Sequence, residues 1–280
     1  MATLSLPSAQ GGHAHPRICP ICGINEHEHS HEEEDKENFL NSVRQLAKAL
    51  REDNKLRVGT GRMIPANFKP PRPVVVRTQR FVSPRPHDFI RHIEHHTQFL
   101  IYTHGACLDN GRAGFAIYSI MMCLSNGQSR PRAGCAFVFR SCSNTKCHVS
   151  FPLELEGPIG QECAQTSNRA ELRAVLAALR CRWWYLEGSE MVIATDSKYV
   201  VNGITRWMQN GWTTRIWAPV ANQDLWLYIL GEIERADRGR MRVTLWRIPR
   251  EWNAVADHYA KQAASEGGRG AFKDTIDMDV

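Results

Sequence analysis

Three apolar runs, at residues 99–103, 134–140 and 148–155, precede the first helical pattern in the chain beyond residue 98, and this order constrains the fold more than any other feature. Gly and polar residues separate the runs, as antiparallel hairpins require. Residues 167–182 then place Leu172, Val175, Leu176 and Leu179 on one helical face, with Thr166 or Ser167 able to cap the start. Strand and helix patterns alternate from there: a strand at 191–195, a helix opening at 197–203, an amphipathic helix at 223–236, a strand at 242–246 and a last helix at 253–265. A plain doubly wound parallel sheet does not begin with three consecutive strands. The pattern predicts an α/β domain with a mixed sheet and helices on its faces.

Because apolar patterning begins in earnest only near Phe99, one core is expected, at residues 98–266 of the 280. Residues 1–34 are rich in Gly, His, Pro and Glu and cannot bury enough apolar surface to offset their ordering entropy, so they read as a flexible segment. Residues 35–53 carry Phe39, Val43, Leu46 and Leu50 at helical spacing, an amphipathic helix. Six prolines between Asn54 and Pro86, among many Arg and Lys, predict a basic Pro-rich linker over 54–97. Residues 267–280 are expected to be a disordered tail.

A formal net charge of +6 and a pI near 8.9 suit a polyanionic partner, or serve solubility alone. Nine cysteines at irregular spacings do not form a disulfide framework and favour a reducing compartment, nuclear or cytoplasmic. The start is free of acid until Glu26, which leaves a mitochondrial location open. Residues 1–16 lack the apolar run that secretion or membrane insertion needs, so no membrane is expected. Cys19 and Cys22, with Pro20, Ile21 and Gly23, have the turn chemistry of a zinc knuckle, and His27 and His31 could complete a tetrahedral site. A metal-free, His-rich tail is the other reading.

Three acids sit where a sheet edge and two helices could gather them: Glu171, Asp196 and Asp257. Taken singly, they read as a surface helix residue, a turn or cap residue, and a solvated helix residue. Their surroundings change that reading. Tyr102-Thr103-His104-Gly105-Ala106-Cys107, Thr166-Ser167-Asn168-Arg169-Ala170-Glu171-Leu172, Ala194-Thr195-Asp196-Ser197-Lys198-Tyr199-Val200 and Asn253-Ala254-Val255-Ala256-Asp257 follow in one order. Together they resemble the four signature segments of ribonuclease H type 1. Gly211-Trp212, Pro219-Val220 and Asn222-Gln223-Asp224-Leu225-Trp226 resemble the family's intervening helical region, and the resemblance runs from about Phe99 to Ser265. Pro249-Arg250-Glu251, just before Asn253, resembles filamentous-fungal members.

The resemblance implies the ribonuclease H-like fold, with a five-stranded mixed sheet and helices on both faces. It also implies an endonuclease that hydrolyses the RNA strand of RNA–DNA hybrids, acting as a monomer. In-line hydrolysis of a phosphodiester uses two divalent cations about 3.5–4 Å apart, one readying water and the other stabilising the leaving oxygen. Magnesium prefers hard oxygen ligands, which clustered carboxylates supply. The family's four carboxylates fall at His104, Glu171, Asp196 and Asp257, the last three as the catalytic acids and all four as the metal positions. By the same resemblance Cys107, Asn110, Gln165, Asn168 and Lys198 line the substrate groove. Trp207, Trp212 and Trp217 either touch the DNA strand or belong to the core, and Arg206 and Arg215 are the main basic charges there.

Three departures stand out. At His104 an imidazole offers neither negative charge nor a bridging pair of oxygens, although it binds manganese- to zinc-type ions. The expected cost is a magnesium-dependent rate lowered roughly 10²–10⁴-fold, about 3–5 kcal/mol, and a non-catalytic hybrid-binding module is the alternative. The Gly-His loop that many members carry before the last helix is replaced by Trp246-Arg247-Ile248-Pro249-Arg250-Glu251-Trp252. Finally, Arg112-Ala113-Gly114-Phe115-Ala116 echoes Arg132-Ala133-Gly134-Cys135-Ala136, so residues 113–132 read as an insertion, either a hairpin extension or a translated intron.

Overall fold

The computed structural model describes residues 38, 40–41, 55–70, 81–82, 90–92, 97–109, 131–140, 147–181, 184, 188–206, 220–268 and 270–275. Cys19, Cys22, His27, His31, Asn110, residues 113–130 of the expected insertion, Trp207, Trp212, Arg215 and Trp217 lie outside them. The chain divides into a unit at Met1–Lys55 and one at Leu56–Val280. In the first, Asn38, Leu40 and Asn41, within the expected 35–53 helix, are helical and exposed.

The second unit is built on five long strands: β1 (Gln98–Leu108), β2 (Arg132–Val138), β3 (His148–Pro152), β4 (Glu190–Thr195) and β5 (Arg242–Arg247). They lie side by side as β3-β2-β1-β4-β5. The pairs β1–β2 and β2–β3 are antiparallel, while β1–β4 and β4–β5 are parallel. The sheet is therefore mixed, as its opening run of strands predicts. Three two-residue strands extend it: Ala66–Asn67 runs parallel to β5, Arg91–His92 pairs with β1 at Phe99, and Phe81–Val82 pairs with Arg91–His92.

Four helices complete the fold: α1 (Ser167–Arg180), α2 (Lys198–Thr205), α3 (Gln223–Arg238) and α4 (Ala254–Ser265). Thr166 caps α1 by accepting from the Arg169 amide at 3.2 Å, and Ser197 caps α2 by accepting from Val200 at 3.3 Å. Two glycines show that helices cover both faces. Cross-strand partners project to the same side of a sheet and their neighbours to the other. Gly105 faces Cys135 and Gly134 faces Ala106, one step along the same ladder. A Cβ at Gly105 would strike the α1 backbone at Ala170 and Glu171, and one at Gly134 would strike α4 at Ala260 and Ala264. Only glycine permits these two approaches, one on each side.

The core centres on α1, whose residues from Arg169 to Arg180 are all buried. Trp184 packs against Phe99, Phe137 and Phe139, with ring centroids 5.8, 6.2 and 5.5 Å away. Fully burying an aromatic side chain of this kind contributes about 1.5–3 kcal/mol. Three buried arginines also lie on α1, an arrangement its Leu/Val periodicity does not announce. Arg169 forks onto Asp224 at 3.0 and 2.7 Å, Arg173 onto Glu154, and Arg180 onto Glu232 and Asp274.

Parts of two segments read as unstructured are built into this unit. Within the expected 54–97 linker, the Gly59 amide donates to Leu227 O at 2.8 Å and Phe68 to Leu245 O at 2.7 Å. Glu234 Oε1 accepts from the Thr60, Gly61 and Arg62 amides at 2.9, 2.8 and 3.0 Å. Gly59 crosses Gly231 of α3 so closely that a Cβ on either would overlap the other strand of chain. Within the expected disordered tail, Asp274 pairs with Arg180 and Thr275 is buried, so residues 270–275 pack against α1. Among the described cysteines, Cys107, Cys135, Cys163 and Cys181 are not in disulfides and Cys147 is disulfide-bonded. Among the described residues no helix is long and apolar enough to cross a membrane.

Candidate active site

The ladder between β1 and β4 ends at Tyr102–Ala194, so His104 on β1 and Asp196 just past β4 flank an opening in the sheet. The Gly105 contact brings α1 against β1 at this point and sets Glu171 beside His104. From the other side, Pro249 introduces a short 3₁₀ turn, Arg250–Asn253, that leads into α4 and carries Asp257 to the same place. The four positions singled out in the sequence therefore converge. They line a cleft of about 310 Å³ together with Cys107, Ser167, Ser197, Arg250 and Lys261.

His104 is the hub. Its Nδ1 lies 3.0 Å from Asp196 Oδ1 and 3.5 Å from Glu171 Oε1, and its Nε2 lies 3.1 Å from Asp257 Oδ1. Burial favours the neutral ring, but the hydrogen bond to Asp196 and the charges of Glu171, Asp196 and Asp257 outweigh it and raise the pKa above 6.5. Asp196 is held down to about 2: burial works against this, and hydrogen bonds from His104 and Asn253 overcome it. Asn253 Nδ2 donates to Asp196 Oδ1 at 2.6 Å and to Thr103 O at 2.9 Å, fixing the acid to β1. Glu171 behaves oppositely. Burial pushes it up to about 8, with the Asp196 charge adding and the His104 charge opposing.

Asp257 lies near three cations. Besides His104, Arg250 Nη2 lies 3.2 Å from Oδ1 and Lys261 Nζ lies 2.5 Å from Oδ2. Its pKa is lowered: burial opposes the shift, and Lys261, His104 and Arg250 prevail. Sequence reasoning left Arg250 without a role and passed over Lys261, although an acid four residues before a lysine on a helix is a recognisable pair.

The site fits a divalent ion on observations of its own. Donor atoms of His104, Glu171 and Asp196 all lie within 4.8 Å of one another. Glu171 Oε2 is buried and accepts nothing from the described residues. A buried carboxylate oxygen without a donor is costly unless a cation or proton meets it.

The expected groove residues divide. Cys107 lines the cleft, its thiol within reach of Gln165 O at 3.4 Å and pushed up to about 11 by burial and then Asp109. Asn168 and Lys198 are exposed beside the lining residues Ser167 and Ser197. Gln165 is used internally: its Oε1 accepts from Ala133 at 3.1 Å and its Nε2 donates to Glu154 O at 3.0 Å.

The RNase H family model matches residues 96–265, more than half of the chain and all of the site just described. The chain belongs to the RNase H family. A ribonuclease H of Treponema pallidum is 36% identical over 139 residues, covering 47% of this chain and 70% of that protein. A ribonuclease H of Cereibacter sphaeroides is 34% identical over 119 residues, covering 41% of this chain and 72% of the relative. The ribonuclease H of Zymomonas mobilis is 42% identical over 82 residues, and the chain spans about half (51%) of its length. Among solved structures, the PFV RNase H domain in solution superposes with a TM-score of 0.40 at 19% identity, covering 60% of this chain and 94% of that one.

Proposed function

We propose that this chain is a type 1 ribonuclease H that hydrolyses the RNA strand of RNA–DNA hybrids, with the histidine at position 104 reshaping its metal centre. The observation that carries the reading is the convergence of His104, Glu171 and Asp196 donor atoms around one point of an open cleft, with Glu171 Oε2 unpaired among the described residues. Pro249-Arg250-Glu251 supports placing it with the filamentous-fungal members. Glu171, Asp196 and His104 would hold the ion, magnesium or manganese. When bound, such an ion activates water and stabilises the leaving oxygen.

The chain's own residues do the positioning. Asn253 locks Asp196 by donating to Oδ1, so the acid keeps one orientation. Arg250 and Lys261, exposed at the cleft mouth, offer positive charge to an approaching phosphate, and Asn168 and Lys198 extend the polar rim. Such phosphate contacts position a nucleic acid, while the 2′-hydroxyls of the RNA strand distinguish it from DNA.

The test is cleavage of a labelled RNA–DNA hybrid in magnesium and in manganese by the wild type, Asp196→Asn and His104→Asp. Cleavage by the wild type that Asp196→Asn abolishes supports the enzyme. A second reading is favoured by one observation: both ring nitrogens of His104 already face carboxylates, which suits a hybrid-binding module without catalysis. Hybrid binding with cleavage only by His104→Asp would select it. Failure of all three proteins to bind or cleave a hybrid overturns both readings.

A further inference from the structure

Resting on the RNase H reading, we propose that this centre takes one divalent cation, held by Glu171, Asp196 and His104, while Asp257 is withdrawn from metal binding to anchor Arg250 and Lys261. Protein cations thereby stand where a second ion's charge would be.

The first support is the unequal state of the acids. The Glu171 side chain is 9% exposed, yet its Oε2 accepts no hydrogen bond from the described residues. Asp257 has the reverse condition, because Oδ1 is shared by His104 and Arg250 and Oδ2 is taken by Lys261. The donor atoms that converge within 4.8 Å are those of His104, Glu171 and Asp196, without Asp257. An incoming dication finds an open oxygen on one side of the imidazole and, on the other, a carboxylate whose two oxygens are already engaged by positive groups.

The second support is the chemistry of the ring. A carboxylate has two oxygens, each with lone pairs to spare, and can touch two ions at once. An imidazole nitrogen has a single lone pair or a single proton, so one nitrogen serves one ion or one hydrogen bond. With Nε2 turned to Asp257 at 3.1 Å, an ion near Glu171 and Asp196 can use only Nδ1, which would exchange its 3.0 Å hydrogen bond with Asp196 Oδ1 for that ion. Bridging a pair of ions about 3.5–4 Å apart is beyond this ring.

Arg250 and Lys261 then acquire a role. Their side chains are 70% and 52% exposed, and both line the cleft, so they remain accessible while leaning on Asp257. A phosphate entering beside the single ion would meet a guanidinium and an ammonium on its other flank. Asp257 is on this view a positioning residue.

The experiment is a Mn²⁺ titration of the full chain, with free Mn²⁺ read by electron paramagnetic resonance and folding checked by circular dichroism. One ion per chain is expected for the wild type, kept in Asp257→Asn and lost in Glu171→Gln, whose amide is isosteric with the acid. His104→Asp is expected to bind two. Two ions in the wild type, or loss of the ion in Asp257→Asn, would overturn the proposal, and the wild-type count needs no variant to fold. Hybrid binding by fluorescence anisotropy on the same samples keeps the two readings apart, since its absence sinks the nuclease reading and leaves the ion count standing.

Discussion

Helix α1 carries two sets of buried charges, and they are arranged on opposite principles. Along its length, Arg173 forks onto Glu154 at 3.1 and 2.7 Å between the rings of Phe151 and Phe272, and Arg180 binds Glu232 at 3.0 Å and also Asp274. Each of these carboxylates meets a guanidinium. At its N-terminal turn, Glu171 joins Asp196 and Asp257 around a single imidazole, and one of its oxygens is left without a donor among the described residues. Paired charges fix the helix in place. The acid-rich cluster, with its positive groups gathered on Asp257 and Glu171 Oε2 unmet among the described residues, is where a cation and a phosphate have something to contribute.

Four expectations would break or sharpen this contrast. The largest is for His104→Asp, which restores a fourth carboxylate: magnesium-dependent hybrid cleavage should rise roughly 10²–10⁴-fold, about 3–5 kcal/mol of transition-state stabilisation. An unchanged rate in single-turnover assays would mean the histidine is not what limits the centre. Of similar size, but on stability, Arg173→Ala should lower unfolding free energy by about 3–5 kcal/mol, because it strands Glu154 in the core. Urea denaturation reads this directly, and a loss below about 1 kcal/mol would deny that the pair is structural.

A smaller effect is expected from pH in metal-free protein. A carboxyl bound more tightly to its proton in the folded state stabilises below its unfolded pKa and loses that contribution as pH rises through the folded one. For Glu171 the window runs from 4.5 to about 8. His104, raised above 6.5 by the facing acids, acts in the same direction, losing its contribution as pH climbs. Asp196 and Asp257 are lowered, so their contributions fade only in acid and do not oppose the trend above neutrality. With Arg250 also near, the Tm in EDTA should fall between pH 6 and 8.5, and Glu171→Gln should flatten that slope, as calorimetry across the range would show. The smallest effect is for Lys261→Ala: its 52%-exposed ion pair should be worth under about 1 kcal/mol of stability in a thermal melt.

Much of this was legible in the sequence because it is local. The three opening runs, the caps at Thr166 and Ser197 and the periodicity of residues 223–236 each depend on neighbours a few positions away, and each element appears within a few residues of its expected bounds. The site positions were found through the order of four segments. What escaped were pairings set by long-range approach. Nothing in the helical periodicity marks Arg173 and Arg180 as buried, because Glu154, Glu232 and Asp274 come over them from distant parts of the chain. Asn253 gives no hint of its bond to Asp196, which lies 57 residues earlier. Residues 56–68 look like a linker because their docking relies on backbone amides, Gly59 against Gly231 and a turn around Glu234, which leave little trace in composition.

That last feature has a practical side. Ala66–Asn67 and Phe68 satisfy the free flank of β5, where an uncovered strand would offer its amides and carbonyls as a template to any other chain. The family match begins at residue 96, so a version cut at that boundary would lose this cover and expose the apolar flank that Phe68 shields over Trp246. Such a fragment should keep the residues of the candidate site and still clump on concentration, whereas one beginning near Leu56 should stay dispersed.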